Sequence, residues 1–96
     1  MKQPTPLKFD WNEANREKNW QIHKVDYREG EEVFFNKAIK LFDDKGHSLT
    51  EKRTVAYGVT NKGRKLTIIF TIRKQHIRII SARDQSRKER KIYEQL

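Results

Sequence analysis

Residues 65–83 constrain the fold of this chain more than any other stretch. Leu66, Ile68, Phe70 and Ile72 recur at every second position of 65–73, the period of a strand that buries one face. A short turn around Lys74-Gln75-His76 leads into a further strand over 77–83. Upstream, 52–60 reads as a strand joined to 65–73 by the turn residues Asn61-Lys62-Gly63-Arg64. Three consecutive strands with connections this short pair as an antiparallel meander.

Such a sheet needs a layer of helices over its apolar face, which makes the fold class α+β. Asp10, with Glu13 three residues on, predicts a helix running to about Trp20. Asp26 and Glu29 repeat that start signal and open a short second helix, with Val33 and Phe34 at its end as core contacts. From Phe35 the period changes to two: Phe35, Ile39 and Leu41 share one face and Asn36, Ala38 and Lys40 the other, so a first half-buried strand is expected there. Residues 43–49, with Gly46, form the loop that follows. Ser86-Arg87-Lys88-Glu89 is another capping box, opening a helix to the C-terminus with Ile92 and Leu96 on one side. The expected order is two N-terminal helices, a four-stranded antiparallel meander and a C-terminal helix. Residues 1–7, interrupted by Pro4 and Pro6, read as a loose arm, and 8–96 as a single domain.

Charge gives the first functional direction. The 96 residues carry 22 Lys and Arg against 13 Asp and Glu, a net +9. Residues 1–61 hold 11 basic and 10 acidic side chains, whereas 62–96 hold 11 basic and 3 acidic. A positive field concentrated in the last third is the footprint of a polyanion partner, nucleic acid or an acidic protein. No apolar run reaches a membrane-spanning length, and the N-terminus lacks an apolar signal core, so the chain is read as cytoplasmic. It has no cysteine and only three histidines, which excludes thiolate zinc sites and cysteine nucleophiles and leaves little for any metal cluster.

Ile77-Arg78-Ile79-Ile80-Ser81-Ala82-Arg83, followed by Glu89-Arg90 and Tyr93, resembles the C-terminal signature of the BrnT family of type II toxins. A second block, His47-Ser48 with Glu51, Arg53 and Gly58, is similar to the family pattern, as are Phe9, Trp11, Asn19, His23, Val25 and the stretch 29–34. Ile22 and Lys24 stand where that family usually shows a lysine and a glycine. The resemblance covers about residues 8–95 and implies a RelE-like fold. It also implies a ribonuclease that stops translation and growth by cutting RNA. The implied partner is a BrnA-like, DNA-binding antitoxin of the ribbon-helix-helix kind, assembled with the toxin as a heterotetramer.

Cleavage of RNA without a metal or other cofactor proceeds by attack of the 2′-hydroxyl on the adjacent phosphate. The enzyme supplies a base, cationic stabilisation of the phosphorane and an acid for the leaving oxygen. Arginine suits the cationic role because its planar fork grips two oxygens and stays charged. Glu51 and Arg53, two apart on a strand, share a face beside Val55 and Tyr57. They are either base and phosphate ligand or a cross-strand ion pair. Arg73 and Arg78 flank the Lys74-Gln75-His76 turn and form either an anion site or structural pairs, Arg78 with an acid such as Glu51. Arg83, at the end of its strand and before the last helix, is the preferred phosphate ligand. His23 and His47 are the titratable acid–base candidates, with His76 behind them. Lys24, Arg64, Arg90 and Tyr93 are candidate RNA contacts, though Tyr93 suits helix packing better and Glu89 suits a cap better than catalysis. Trp11 and Trp20 lie outside the basic third and read as core or antitoxin contacts rather than base-stacking platforms. The alternative function is a basic module that binds nucleic acid or an acidic partner without cutting it.

Overall fold

The computed structural model describes residues 7–44 and 52–95. Its elements are α1 (Glu13–His23), α2 (Tyr27–Phe35), β1 (Lys40–Asp43), β2 (Thr54–Val59), β3 (Lys65–Arg73), β4 (His76–Asp84) and α3 (Arg87–Glu94). The four strands form one antiparallel sheet in the order β1-β2-β3-β4. The expected α+β meander is therefore the architecture.

Two of the three capping boxes fall where the sequence predicts them, at Asp26/Glu29 and Ser86/Glu89. The first does not. α1 starts from Asn12, whose side chain accepts from the Asn15 amide at 2.9 Å, while Asn15 Oδ1 accepts from the Asn12 amide at 2.7 Å. Asp10 is unavailable as a cap because its backbone N–H is donated to Ile77 O at 2.8 Å, and Ile77 N–H is donated to Lys8 O at 2.8 Å. Phe9 thereby bridges β4 in parallel, beyond the meander. α1 continues past Trp20 to His23 and closes on Lys24, whose φ of 56° is left-handed and whose N–H returns to Asn19 and Trp20 carbonyls. That conformation favours glycine, the residue the BrnT resemblance puts at this position.

Phe35 also differs from its expected place. It ends α2 and is 63% exposed instead of opening a strand, and β1 begins only at Lys40. The period-two signal is real at Ile39 and Leu41, which pack on the core, but the helix extends through Phe35 because Asn36 terminates it, donating its backbone N–H to Glu32 O. β3 and β4 are joined by Lys74 and Gln75 alone, both left-handed at φ 49° and 67°, the two-residue hairpin geometry that matches sheet twist.

α1 and α2 cover one face of the sheet. Val33 and Phe34 of α2 meet Ala56, Leu66, Ile68, Phe70, Ile77, Ile79 and Ala82, all buried, with Phe34 edge-on to Phe70 at 4.9 Å. Gly58 is required here: a Cβ at this position would collide with the Val33 side chain. Among the described residues no helix is long and apolar enough to cross a membrane.

Candidate active site

The face turned away from α1 and α2 is where the basic side chains gather, and a break in the β3–β4 register decides which ones. Thr71 pairs with Arg78 and Thr67 with Arg83, while Ile69 pairs with Ser81 and Phe70 with Ile79, leaving Ile80 as an extra residue. This β-bulge switches the alternation of β4. Ile77 and Ile79 before it and Ala82 after it are all buried on the helix-covered face, so Arg78 and Arg83 both point outward. Arg73 belongs to the same outer row as Thr67, Ile69 and Thr71. On β2, Tyr57 stands opposite Thr67 and Val55 opposite Ile69. Arg53, two residues before Val55, continues that outward parity. Arg53, Arg73, Arg78 and Arg83 thus share one sheet face, with Arg78 and Arg83 about 13 Å apart along the strands at roughly 3.3 Å per residue.

At one end of this face, α3 packs over β2 and β3 and brings Glu89 to Arg83. The pair is bidentate, Nη1 to Oε1 at 2.7 Å and Nη2 to Oε2 at 2.9 Å. Glu89 Oε1 also accepts from the Thr67 hydroxyl at 2.9 Å and from the Ser86 amide at 2.8 Å. The Arg83 guanidinium, aided by the Ser86 and Thr67 donors, holds the Glu89 carboxyl at about 2, against the opposing effect of burial. Glu89 is therefore ionised at all physiological pH and cannot serve as a base working near neutrality. It fixes Arg83 in place. Arg83 Nη1 further donates to Asp84 O at 3.2 Å, while its Nε has no acceptor among the described residues. The Tyr57 hydroxyl lies in the field of both groups, its pKa raised by burial first and by Glu89 second.

At the other end, Arg78 reaches Asp10 at 3.4 Å; Asp10 is the acid it pairs with among the described residues. His76, opposite Arg73, has Nδ1 2.9 Å from Lys74 O, so the neutral ring carries its proton on Nδ1 and leaves Nε2 as an acceptor. Arg53 is half-buried beside an anchored stretch, since the Thr71 hydroxyl donates to Lys52 O at 2.7 Å.

His23, Lys24 and Arg64 do not join this face. They meet at the C-terminal end of α1, where Arg64 is a clamp. Its Nε and Nη2 donate to Asp84 at 2.7 and 3.1 Å, and Nη1 donates to Glu29 at 3.1 Å and to Lys24 O at 2.8 Å. Hydrogen bonding to Asp84 raises the Arg64 pKa and lowers that of Asp84. With its donors used to tie α1, α2, β3 and β4 together, Arg64 has a structural task. Arg90 donates to Gln85 O at 3.0 Å and the Tyr93 hydroxyl to Ala38 O at 2.7 Å, both securing α3. Glu51 and His47 lie outside the described residues. Sequence reasoning read Asp10 only as a helix cap and did not single out Tyr57 as a site residue; the strand parity it found for Arg53 already contained Tyr57, whereas nothing local signalled the pairing of Asp10 with Arg78.

A family model described as the ribonuclease toxin BrnT of type II toxin–antitoxin systems matches residues 11–89. Among solved structures, a crystal structure of the Brucella abortus ribonuclease toxin BrnT is similar with a TM-score of 0.61 and 24% identity. The match covers 84% of this chain and 99% of that one, and at that identity it shows a shared fold. No curated protein sequence matches.

Proposed function

The chain belongs to the BrnT family of ribonuclease toxins of type II toxin–antitoxin systems, and from that premise we propose that its outward sheet face is the surface that cuts RNA. The observation that carries this reading is that Arg53 and Arg73, by strand parity, and Arg78 and Arg83, aligned by the bulge at Ile80, share one face. The reaction is a transesterification without a metal. The 2′-oxygen of the RNA forms a bond to the adjacent phosphorus while the bond to the 5′-oxygen breaks, leaving a 2′,3′-cyclic phosphate. Arg83, held by Glu89, meets the developing phosphorane charge, and Arg53, Arg73 and Arg78 bind flanking phosphates. The proton of the 2′-hydroxyl goes to a base and the 5′-oxygen receives one from an acid. Glu51, His47 and His76 are the groups suited to those two transfers; His23, beside the Arg64 clamp, is the candidate the geometry supports least.

A type II system pairs the toxin with an antitoxin. We take that partner to be BrnA-like, to bind DNA, and to silence the toxin by covering the basic face of β3, β4 and α3 in a heterotetramer. Purified protein incubated with single-stranded RNA in excess EDTA tests the enzymatic reading: cleavage with cyclic phosphate ends supports it, and activity abolished by chelation and restored by Mg²⁺ overturns the metal-free route.

A further inference from the structure

A cleft of about 610 Å³, within the usual size range of small-ligand sites of about 300–1,000 Å³, opens between the segment preceding α1 and the β3–β4 hairpin. It is lined by Phe9, Asp10, Trp11, Arg73, Lys74 and His76. Two backbone hydrogen bonds of 2.8 Å, Asp10 to Ile77 and Ile77 to Lys8, fix its two walls to each other. The cleft adjoins the arginine face through Arg73, which belongs both to its lining and to the outward row of β3.

Its walls have three kinds of chemistry. The aromatic side chains are rigid. Trp11 is held by its Nε1–H to Glu31 at 2.7 Å and by an edge-to-face contact with Tyr27 at 5.7 Å, and Phe9 stands edge-on to Phe34 at 5.7 Å. A fixed aromatic ring beside a basic groove is a stacking platform for an unpaired base. Arg73 and Lys74 add positive charge for the base's own phosphate. Asp10 is the one carboxylate of the lining, with Oδ2 3.4 Å from Arg78 and acceptor capacity remaining on both oxygens. An ionised carboxylate only accepts, and it matches two parallel donors. Guanine presents such a pair, N1–H and N2–H. Adenine, cytosine and uracil each set a ring nitrogen or carbonyl acceptor beside a donor, which a carboxylate repels.

We propose that this cleft holds one unstacked guanine of the RNA substrate, stacked on the aromatic wall and read by Asp10, and so sets the sequence preference of cleavage. The inference rests on the adjoining face being the RNA site.

The chain has two tryptophans, so Trp20→Phe leaves Trp11 as the sole indole reporter; Trp20 is 48% exposed and outside the core. This variant is titrated with short all-deoxy single strands, thymine tracts bearing one central guanine, hypoxanthine, adenine or cytosine, which lack the 2′-hydroxyl and are not cut. Trp11 emission should be quenched, with the guanine strand bound about tenfold or more tighter than the adenine and cytosine strands and the hypoxanthine strand between them. Adding Asp10→Asn should abolish the preference, with unchanged circular dichroism showing an intact fold. Lys74→Asn, which tolerates the left-handed backbone there, should weaken all strands alike. Absence of quenching, equal affinity for all strands, or a guanine preference that survives Asp10→Asn overturns the proposal. A protein that cleaves RNA without guanine preference sinks this inference alone, whereas one that prefers guanine strands but leaves RNA uncut sinks the enzymatic reading alone.

Discussion

Arg78 and Arg83 point to the same side of β4 although they stand five positions apart, an odd spacing that in a regular strand sets side chains on opposite faces. The extra residue at Ile80 restores the match. On the proposed reading, a string of phosphates meets these arginines along one side of the sheet. The following outcomes are expected.

Arg83→Ala and Arg53→Ala should each abolish growth arrest and lower RNA cleavage by about 10²–10³-fold, the usual consequence of removing one fixed donor from a transition state. Both variants should remain folded, because neither residue lies in the buried core. Single-turnover cleavage alongside circular dichroism makes the comparison, and wild-type rates from both variants would remove these arginines from the mechanism.

Arg64→Ala should behave in the opposite way. Its loss leaves Asp84 and the Lys24 carbonyl without their donor and Glu29 with only the Asp26 amide, which should cost about 1–3 kcal/mol of stability. Cleavage per folded molecule should stay near the wild-type rate. Urea denaturation together with an activity assay well below the melting temperature separates the two effects.

Glu89→Gln keeps a capping side chain but removes the charge that holds Arg83, so it should reduce both stability and cleavage at neutral pH. Because the folded carboxyl titrates at about 2 and an ordinary one at 4.5, its stabilisation is fully present above about pH 4.5. It is lost as pH falls from there through about 2. The shift corresponds to at most about 3 kcal/mol. The stability gap between wild type and Glu89→Gln should therefore be wide at pH 7 and close progressively toward pH 2.5; a gap independent of pH would show that the ion pair contributes nothing.

Lys24→Gly should stabilise the protein by about 0.5–1 kcal/mol, since a lysine at φ 56° bears a steric cost that glycine does not. The gain is reduced by loss of the Lys24 contact over Trp20 and by the freedom glycine adds to the unfolded chain. Thermal melts of the two proteins decide it, and a destabilised variant would contradict the argument.

Association with the antitoxin should slow markedly between about 0.05 and 0.5 M salt, because steering by the basic C-terminal third is screened over that range. Dissociation, governed by apolar contacts, should change less. Stopped-flow mixing across the series measures both, and a salt-independent association rate would move the antitoxin to another face.

What the sequence determined by itself is what short-range physics controls. Alternation at Leu66, Ile68, Phe70 and Ile72 located β3 to the residue, and the Asp26/Glu29 and Ser86/Glu89 boxes located two helix starts, because a cap needs only its own turn. The positive charge of 62–96 was equally legible. The tertiary structure decided the rest. Asp10 carries the side chains of a cap, yet a long-range bridge to Ile77 takes its backbone and hands the cap to Asn12. Arg64 carries the same charge as Arg83 but meets Asp84 and Glu29 across 20 and 35 residues, a proximity with no local trace. Trp11, distant in sequence from the basic third, arrives beside Lys74 and His76 through the same bridge. The bulge at Ile80 is decided by which side chains the helix layer buries, since hydrophobic burial fixes the face of Ile77, Ile79 and Ala82, and only then do Arg78 and Arg83 emerge together on the other side.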